Sequence, residues 1–225
     1  SARVKDGRLW YAPWLFPGQH ASMAGLATSG TLTHWFRENL ARELDPARAI
    51  KELAAEAEAS PPGAKGLVML PYFSGERTPI HDTHAKGAIL GLDLTHTRGD
   101  LFRATLEGIA LATNHIMETF DDVGEPPRNV FAVGGGTQNK VWAQATSDIC
   151  GKTQILREKS MGASYGNAFL AALAVGDAQL KDIKTWNPVA SEFTAKAENT
   201  EIYGRHYEVF RSLYERNKDL MKILG

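Results

Sequence analysis

One cysteine, Cys150, stands in 225 residues. No disulfide can close within the chain, and a reducing compartment such as the cytoplasm suits it. Its setting, Asp148-Ile149-Cys150-Gly151 inside an apolar pattern, reads as a buried inert thiol rather than a nucleophile. Long apolar runs are missing too: none approaches the roughly 18 to 20 residues of a membrane helix, and no charged-then-apolar leader opens the chain. A membrane or secreted protein is therefore disfavoured. Charge of one sign is also lacking, since 25 Lys and Arg against 26 Asp and Glu leave a formal net charge of −1. Without a large basic surface, nucleic acid is not an expected partner. Neither a Gly-x-x-x-x-Gly-Lys-Ser/Thr loop nor a Gly-x-Gly-x-x-Gly dinucleotide turn occurs. No Ser-His-Asp or Cys-His grouping has supporting local sequence, so nucleophilic catalysis is unsupported. The chain opens Ser1-Ala2-Arg3 without an initiator Met, as a trimmed protein or a piece of a longer one would.

What is present is a 43% hydrophobic composition, enough to bury the core of one large domain or two small ones. Leu9 to Leu15 predicts a β-ribbon, with Asp6-Gly7 as the kind of dipeptide that turns a hairpin. From Met23 the pattern becomes helical, with Trp35, Phe36 and Leu40 on its apolar side. Asp45-Pro46 predicts the start of a second helix, which stops at Ser60-Pro61-Pro62-Gly63. Gly66 to Pro71 and Gly87 to Leu92 read as buried strands separated by a polar loop. Asp100 to Phe120 is apolar on almost every side, the pattern of a helix covered all round. Beyond Pro126-Pro127 come a strand (129–133), a glycine turn, a helix (139–150), a strand (153–156) and a small-residue helix (162–175). Strands alternating with helices predict an α/β fold with parallel strands. The pattern between Lys181 and Thr200 is weak and predicts irregular connection. Tyr203, Tyr207, Phe210 and Tyr214, at spacings of three and four, mark an amphipathic terminal helix.

Gly134-Gly135-Gly136 is the strongest local signal, because a strand runs into consecutive glycines and then into a helix beginning at Asn139. Glycines let the backbone approach a ligand, and free N–H groups at a helix start favour an anion such as phosphate. A tight turn without ligand is the plain alternative. The loop from Ser74 to His84 carries Glu76, Arg77, His81, Asp82 and His84. His81, Asp82 and His84 could serve a metal, but a loop held by a Glu76 or Asp82 to Arg77 network is the more economical reading. Glu107, inside an apolar helix, is either a buried base or a carboxylate hydrogen-bonded to its surroundings. His34 beside Trp35 is either a ligand contact or structural.

Taken in order, these segments resemble the carboxy-terminal half of the FGGY family of carbohydrate kinases. The most specific match is Gly87-Ala88-Ile89-Leu90-Gly91-Leu92, then seven residues, then Asp100-Leu101-Phe102-Arg103-Ala104-Thr105-Leu106-Glu107, similar to that family's second signature. Leu70 to Pro79, Gly134 to Trp142 and Gly30-Thr31-Leu32-Thr33-His34-Trp35-Phe36 are similar to xylulokinase-like members.

The resemblance implies an actin-like ATPase, ribonuclease-H-like α/β domain, a mixed sheet flanked by helices, with residues 1–225 as the nucleotide-binding C-terminal domain of a two-domain enzyme. It implies ATP with Mg²⁺ and phosphorylation of a sugar or polyol, a ketopentose such as xylulose foremost. Gly134, Gly135 and Gly136 would form the turn against the nucleotide and Asn139 would contact adenosine. Gly30, Thr33 and His34 would line the adenine pocket, although other members often place a different polar residue where His34 stands. The family's general base and sugar contacts belong to the amino-terminal half, so no catalytic residue and no metal ligand is expected in this chain. Glu107 and Asp82 are expected to be structural. The expected partners are a sugar or polyol and the N-terminal domain of the same kinase, with a homodimer as an open alternative. Alone, the chain would fold, bind ATP weakly and phosphorylate nothing. The rival readings are a non-catalytic actin-like nucleotide-binding module and a metal-dependent hydrolase using His81, Asp82 and His84.

Overall fold

A computed structural model describes residues 6–159 and 162–225. The opening ribbon pairs β1 (Trp10–Pro13) with β2 (His20–Met23) in antiparallel register, Trp10 opposite Met23. The reversal does not fall at Asp6-Gly7. It falls at Pro17-Gly18, where Gly18 takes φ +80° and the Gln19 N–H donates to the Phe16 carbonyl at 3.0 Å. Because β2 occupies His20–Met23, the first helix begins later than expected: α1 spans Gly30–Leu40. Its buried side is Leu32, Thr33 and Phe36, and Trp35 and Leu40 stay exposed. Asp45 caps the turn leading into α2 (Ala49–Ala59), accepting from the Ala47 N–H at 2.8 Å. The helix stops before Ser60 and the proline pair, as the sequence predicts.

β3 (Val68–Leu70) and β4 (Ala88–Leu90) form an antiparallel pair. β3 is wholly buried. β4 was expected to be buried as well, but it is an edge strand whose Ile89 and Leu90 are exposed. α3 (Arg98–Asp122) crosses β3 so closely that a side chain on Gly108 would lie 2.5 Å from the Met69 carbonyl oxygen. Thr97 and Asp100 close a capping box at its start, each side chain holding the other's backbone N–H. From Gly99 to Ala112, Leu101 aside, every residue is buried; the rest of the helix is mostly half-buried. The expected all-round cover thus holds for its first half.

The second part of the fold is β5 (Val130–Ala132), α4 (Lys140–Cys150), β6 (Gln154–Arg157), α5 (Ala163–Val175), α6 (Ile183–Trp186), β7 (Val189–Phe193) and α7 (Thr200–Ile223). Its sheet has the order β5-β6-β7, with β5 parallel and β7 antiparallel to β6. The expected mixed sheet is there. The segment expected to be irregular between 181 and 200 holds α6 and β7 instead. β7 has no alternation to read, because only Phe193 in it is even half-buried and pairing with β6 runs through the backbone. α7 buries Tyr203, Phe210, Tyr214 and Met221. Tyr72 meets Phe210 and Tyr214 edge-on in one core cluster, and Phe36 meets Phe102 in another beside Leu53 and Leu106.

Three polar side chains on one face of α3 tie these layers together. Asp100 accepts from the Ser60 hydroxyl at 2.6 Å, from Lys65 at 2.9 Å and from the Thr97 N–H at 2.8 Å. Those donors hold its carboxyl well below the usual carboxylate range despite burial. Arg103 donates to the Ser60 carbonyl at 2.7 Å and pairs with Glu107 at 2.7 Å. Glu107 Oε1 also accepts from the Gly63 N–H and, at 2.7 Å, from the Tyr203 hydroxyl. Burial pushes the Glu107 carboxyl up, against the pull of Arg103. Cys150, expected to be a buried inert thiol, is half-buried, and desolvation pushes its thiol up to about 12.

Leu106 and Ile109 are fully enclosed, so Leu106→Ala or Ile109→Ala should each cost about 2 to 5 kcal/mol in denaturant melts. Leu94→Ala, at a fully exposed position, should stay within about 0.5 kcal/mol. Asp100→Ala removes one side of the capping box and leaves the buried Ser60 hydroxyl without its acceptor, a loss of about 1 to 3 kcal/mol. Since the Asp100 pKa is depressed on folding, its contribution is present above the unfolded carboxylate value near 4 and is lost as pH falls. The decline in stability below that pH should therefore be shallower in Asp100→Ala than in the native protein.

Candidate nucleotide-facing site

β5 delivers the chain into Gly134, which takes φ +95°, and Gly135–Gln138 coils as a single 3₁₀ turn. The Thr137 hydroxyl closes that turn by donating to the Gly134 carbonyl at 2.7 Å. Asn139 then caps α4: its Oδ1 accepts the Trp142 N–H at 3.1 Å. The Asn139 amide NH₂ has no hydrogen bond among the described residues, so two donors remain at the helix start beside its positive dipole end.

The three glycines differ in what surrounds them. A side chain on Gly134 or Gly135 would meet nothing within 4 Å, and both residues are exposed. Open space over two bare backbone positions at a helix start is what a nucleotide cradle requires. A side chain on Gly136 would come within 2.8 Å of the Trp142 ring, so Gly136 serves packing. Trp142 is the residue that sequence reasoning left without a role. Only its place one turn into α4, three residues after the cap, hinted that it would fold back on the turn.

The glycine turn and the start of α1 share a cavity of about 470 Å³, with Ser29, Gly30, Gly136 and Thr137 offering polar groups and Ile109, Met117, Val130 and Trp142 making its wall apolar. Gly30 is thus brought to the same cavity as the turn. Thr33 is buried and donates to the Gly30 carbonyl at 2.7 Å, bracing the first turn of α1. His34 lies exposed, one helical turn beyond Gly30 on the same side of α1.

The loop from Ser74 to His84 is a brace. Glu76 Oε1 accepts the N–H groups of Ala27 at 2.7 Å and Arg77 at 2.6 Å, while the Arg77 guanidinium bonds the Leu26 carbonyl and lies over the Trp10 ring. The expected link between Glu76 or Asp82 and the Arg77 side chain is replaced by these bonds to backbone. Asp82 accepts the His84 N–H through Oδ1 and the Tyr214 hydroxyl, at 2.8 Å, through Oδ2. His81 Nε2 lies 3.1 Å from the Arg8 carbonyl. Among the described residues, no cluster of three or more His, Cys, Asp or Glu is disposed to hold a metal ion, and no helix is long and apolar enough to cross a membrane.

The family model of the C-terminal domain of FGGY carbohydrate kinases matches residues 11–175. The chain is 31% identical to a xylulose kinase of Bacillus subtilis over 201 residues, 88% of this chain and 40% of the relative. Among solved structures, a xylulose kinase from Rhodospirillum rubrum superposes with a TM-score of 0.86 at 35% identity, covering 96% of this chain and 44% of that one. A Plasmodium falciparum glycerol kinase with ADP has the same fold, with a TM-score of 0.78 at 24% identity and coverage of 94% and 42%. The chain spans about two-fifths of the length of the curated relatives it matches. Its mixed sheet, buried signature helix and glycine turn thus stand in the actin-like ATPase architecture of those kinases, and the chain belongs to the FGGY family of carbohydrate kinases, matching the family's C-terminal domain.

Proposed function

We propose that residues 1–225 form the nucleotide-binding C-terminal domain of a two-domain kinase that transfers a phosphoryl group from ATP to a sugar or polyol. The observation that carries this reading is the pair of exposed, unobstructed glycines, Gly134 and Gly135, at the capped start of α4. ATP supplies the transferable phosphoryl group when bound. Gly134 and Gly135 let the backbone approach the nucleotide, Gly136 holds the turn against Trp142, and Asn139 offers its two free amide donors to the adenosine. On α1, Gly30 lines the cavity shared with the turn, Thr33 acts through the Gly30 carbonyl, and His34, exposed one turn further on and outside that lining, is the third residue we assign to the adenine side.

Phosphoryl transfer needs a carboxylate to accept the proton of the attacking hydroxyl, and Mg²⁺ to neutralise the phosphates. Asp82 and Asp100 here are engaged by hydroxyls and backbone N–H groups, and Glu76 and Glu107 are buried against backbone and, for Glu107, Arg103. The resemblance to the family, rather than any elimination within this chain, assigns the general base and the sugar contacts to the N-terminal domain. A ketopentose such as xylulose is the substrate we assign, supported by relatives named xylulose kinase and by the Ser-Gly-Glu-Arg-Thr-Pro loop that resembles such members.

The test is an ADP-release assay on the full-length protein with pentuloses, hexuloses, gluconate and glycerol. Turnover with a pentulose is expected; ATP binding without turnover on any sugar would favour a non-catalytic nucleotide-binding module. Gly135→Val fills the open space and should raise KM for ATP about tenfold or more, a loss of about 1.4 kcal/mol, with KM for the sugar nearly unchanged. Asn139→Ser retains a helix cap but loses the amide donors, so stability should hold while KM for ATP rises by the equivalent of about 0.5 to 1.5 kcal/mol. Equal changes in both Michaelis constants would remove the glycine turn from the nucleotide site.

A further inference from the structure

The start of α1 has no cap of its own. Ser29 stands in the capping position, but its side chain makes no capping hydrogen bond, although a serine there normally holds the N–H two or three residues on. Ser29 and Gly30 nevertheless line the cavity shared with the glycine turn. What fixes them comes from elsewhere in the chain.

The segment 25–27, which runs directly into Thr28 and Ser29, is bound along its length to 76–78. The Ala27 N–H donates to Glu76 Oε1 at 2.7 Å, the Gly25 N–H to the Thr78 hydroxyl at 3.4 Å and the Thr78 N–H to the Gly25 carbonyl at 3.3 Å, while the Arg77 guanidinium donates to the Leu26 carbonyl. Glu76 is held in its turn. It exchanges backbone hydrogen bonds with Asp82 at 2.8 and 2.9 Å, and Asp82 accepts the Tyr214 hydroxyl of α7. A continuous series of bonds thus runs from a core helix to the residue two before Ser29. Glu76 is its buried carboxylate, only 4% exposed. Oε1 carries all its side-chain contacts, taking the Arg77 N–H at 2.6 Å as well, and Oε2 is buried without a partner among the described residues. A buried carboxylate with one oxygen unpaired costs stability, and such breaches of packing rules fall mainly at functional sites.

We propose that Glu76 is a positioning residue for the nucleotide: through the Ala27 N–H it sets where Ser29 and Gly30 stand relative to the glycine turn. This deepens the reading of that cavity as the nucleotide site and rests on it. Arg77 serves the same end from an exposed position, gripping the Leu26 carbonyl so closely that a side chain on Gly25 would come within 3.1 Å of its guanidinium. Loss of the brace displaces a wall of the cavity and not the reacting end of the cleft. ATP binding should therefore weaken while the sugar and the transfer step are left alone.

The test uses the full-length protein, with steady-state kinetics and calorimetric titration of ATP. Glu76→Ala should raise both KM and Kd for ATP about tenfold, with kcat and KM for the sugar within about twofold of the native values. Glu76→Gln keeps an acceptor oxygen for the two N–H groups and should bring Kd for ATP back to within about threefold of native. Arg77→Ala, which removes only an exposed side chain, should raise Kd for ATP about threefold. A Glu76→Ala protein that melts lower but binds ATP as the native protein does would reduce Glu76 to a structural brace and overturn the inference. Equal rises in the two Michaelis constants would overturn it too. If Glu76→Ala does not fold, Arg77→Ala decides, and native affinity for ATP in that variant overturns the inference. A native protein that binds no ATP would sink the nucleotide reading and this inference with it, whereas ATP binding that none of the variants weakens sinks this inference alone.

Discussion

Two opposite charges withdrawn from water in the middle of the longest helix set the conditions for the rest of this fold. Each ion costs several kcal/mol to bury, and attraction between them repays this only if further hydrogen bonds occupy them. Arg103 and the Oε1 oxygen of Glu107 meet that condition with groups whose positions are fixed by the chain, the carbonyls of Ala57 and Ser60, the N–H of Gly63 and the hydroxyl of Tyr203, while Glu107 Oε2 is buried without a hydrogen-bond partner among the described residues. The pair can be satisfied only when the end of α2, the Ser60-Pro61-Pro62-Gly63 stop and the start of α7 all reach α3 together. Asp100, one turn earlier on the same face, makes the same demand through Ser60 and Lys65.

The polar members of the family signature thus act as a lock. Asp100, Arg103 and Glu107 fall at i, i+3 and i+7, so helical geometry alone puts them on one stripe. The apolar remainder of the helix is left free to carry β3 on one side and α2 and α4 on others. This arrangement holds α1 and α4 against a common spine, and that is what brings Gly30 and the glycine turn to one cavity. The turn itself is built from local rules only: a left-handed glycine, a threonine hydroxyl closing three residues, and an asparagine cap.

Much of this was legible in the residues because much of it is local. The glycine turn, the proline stop after α2, the stripe of Tyr203, Phe210 and Tyr214 and the apolar length of α3 all express short-range chemistry whose signal lies within one or two turns of chain. The inert character of Cys150 and the structural character of Glu107 were readable for a related reason, since a polar group in an apolar pattern must be either neutral or paired.

Other features were decided by contacts between segments far apart. The ribbon turns at Pro17-Gly18 and not at Asp6-Gly7, where Asp6 is held instead by Arg8, which also reaches Asp122 on α3. α1 buries Phe36 against Phe102 and Leu32 against Met69 and Ile109; no pattern within 30–40 ranks Phe36 above Trp35. β7 exists through backbone pairing with β6 and has no side-chain periodicity to announce it. Local sequence therefore determined which of the longer segments are helices, where most of them stop and where a ligand could approach bare backbone, because each follows from dihedral preference and hydrogen bonding between near neighbours, whereas the one-turn α6 carried no such signal. Which face of each helix is inside, which strand stands at the edge and which carboxylates are spent on structure depended on partners far along the chain, 132 residues apart for Asp82 and Tyr214, and only the tertiary structure brings those together.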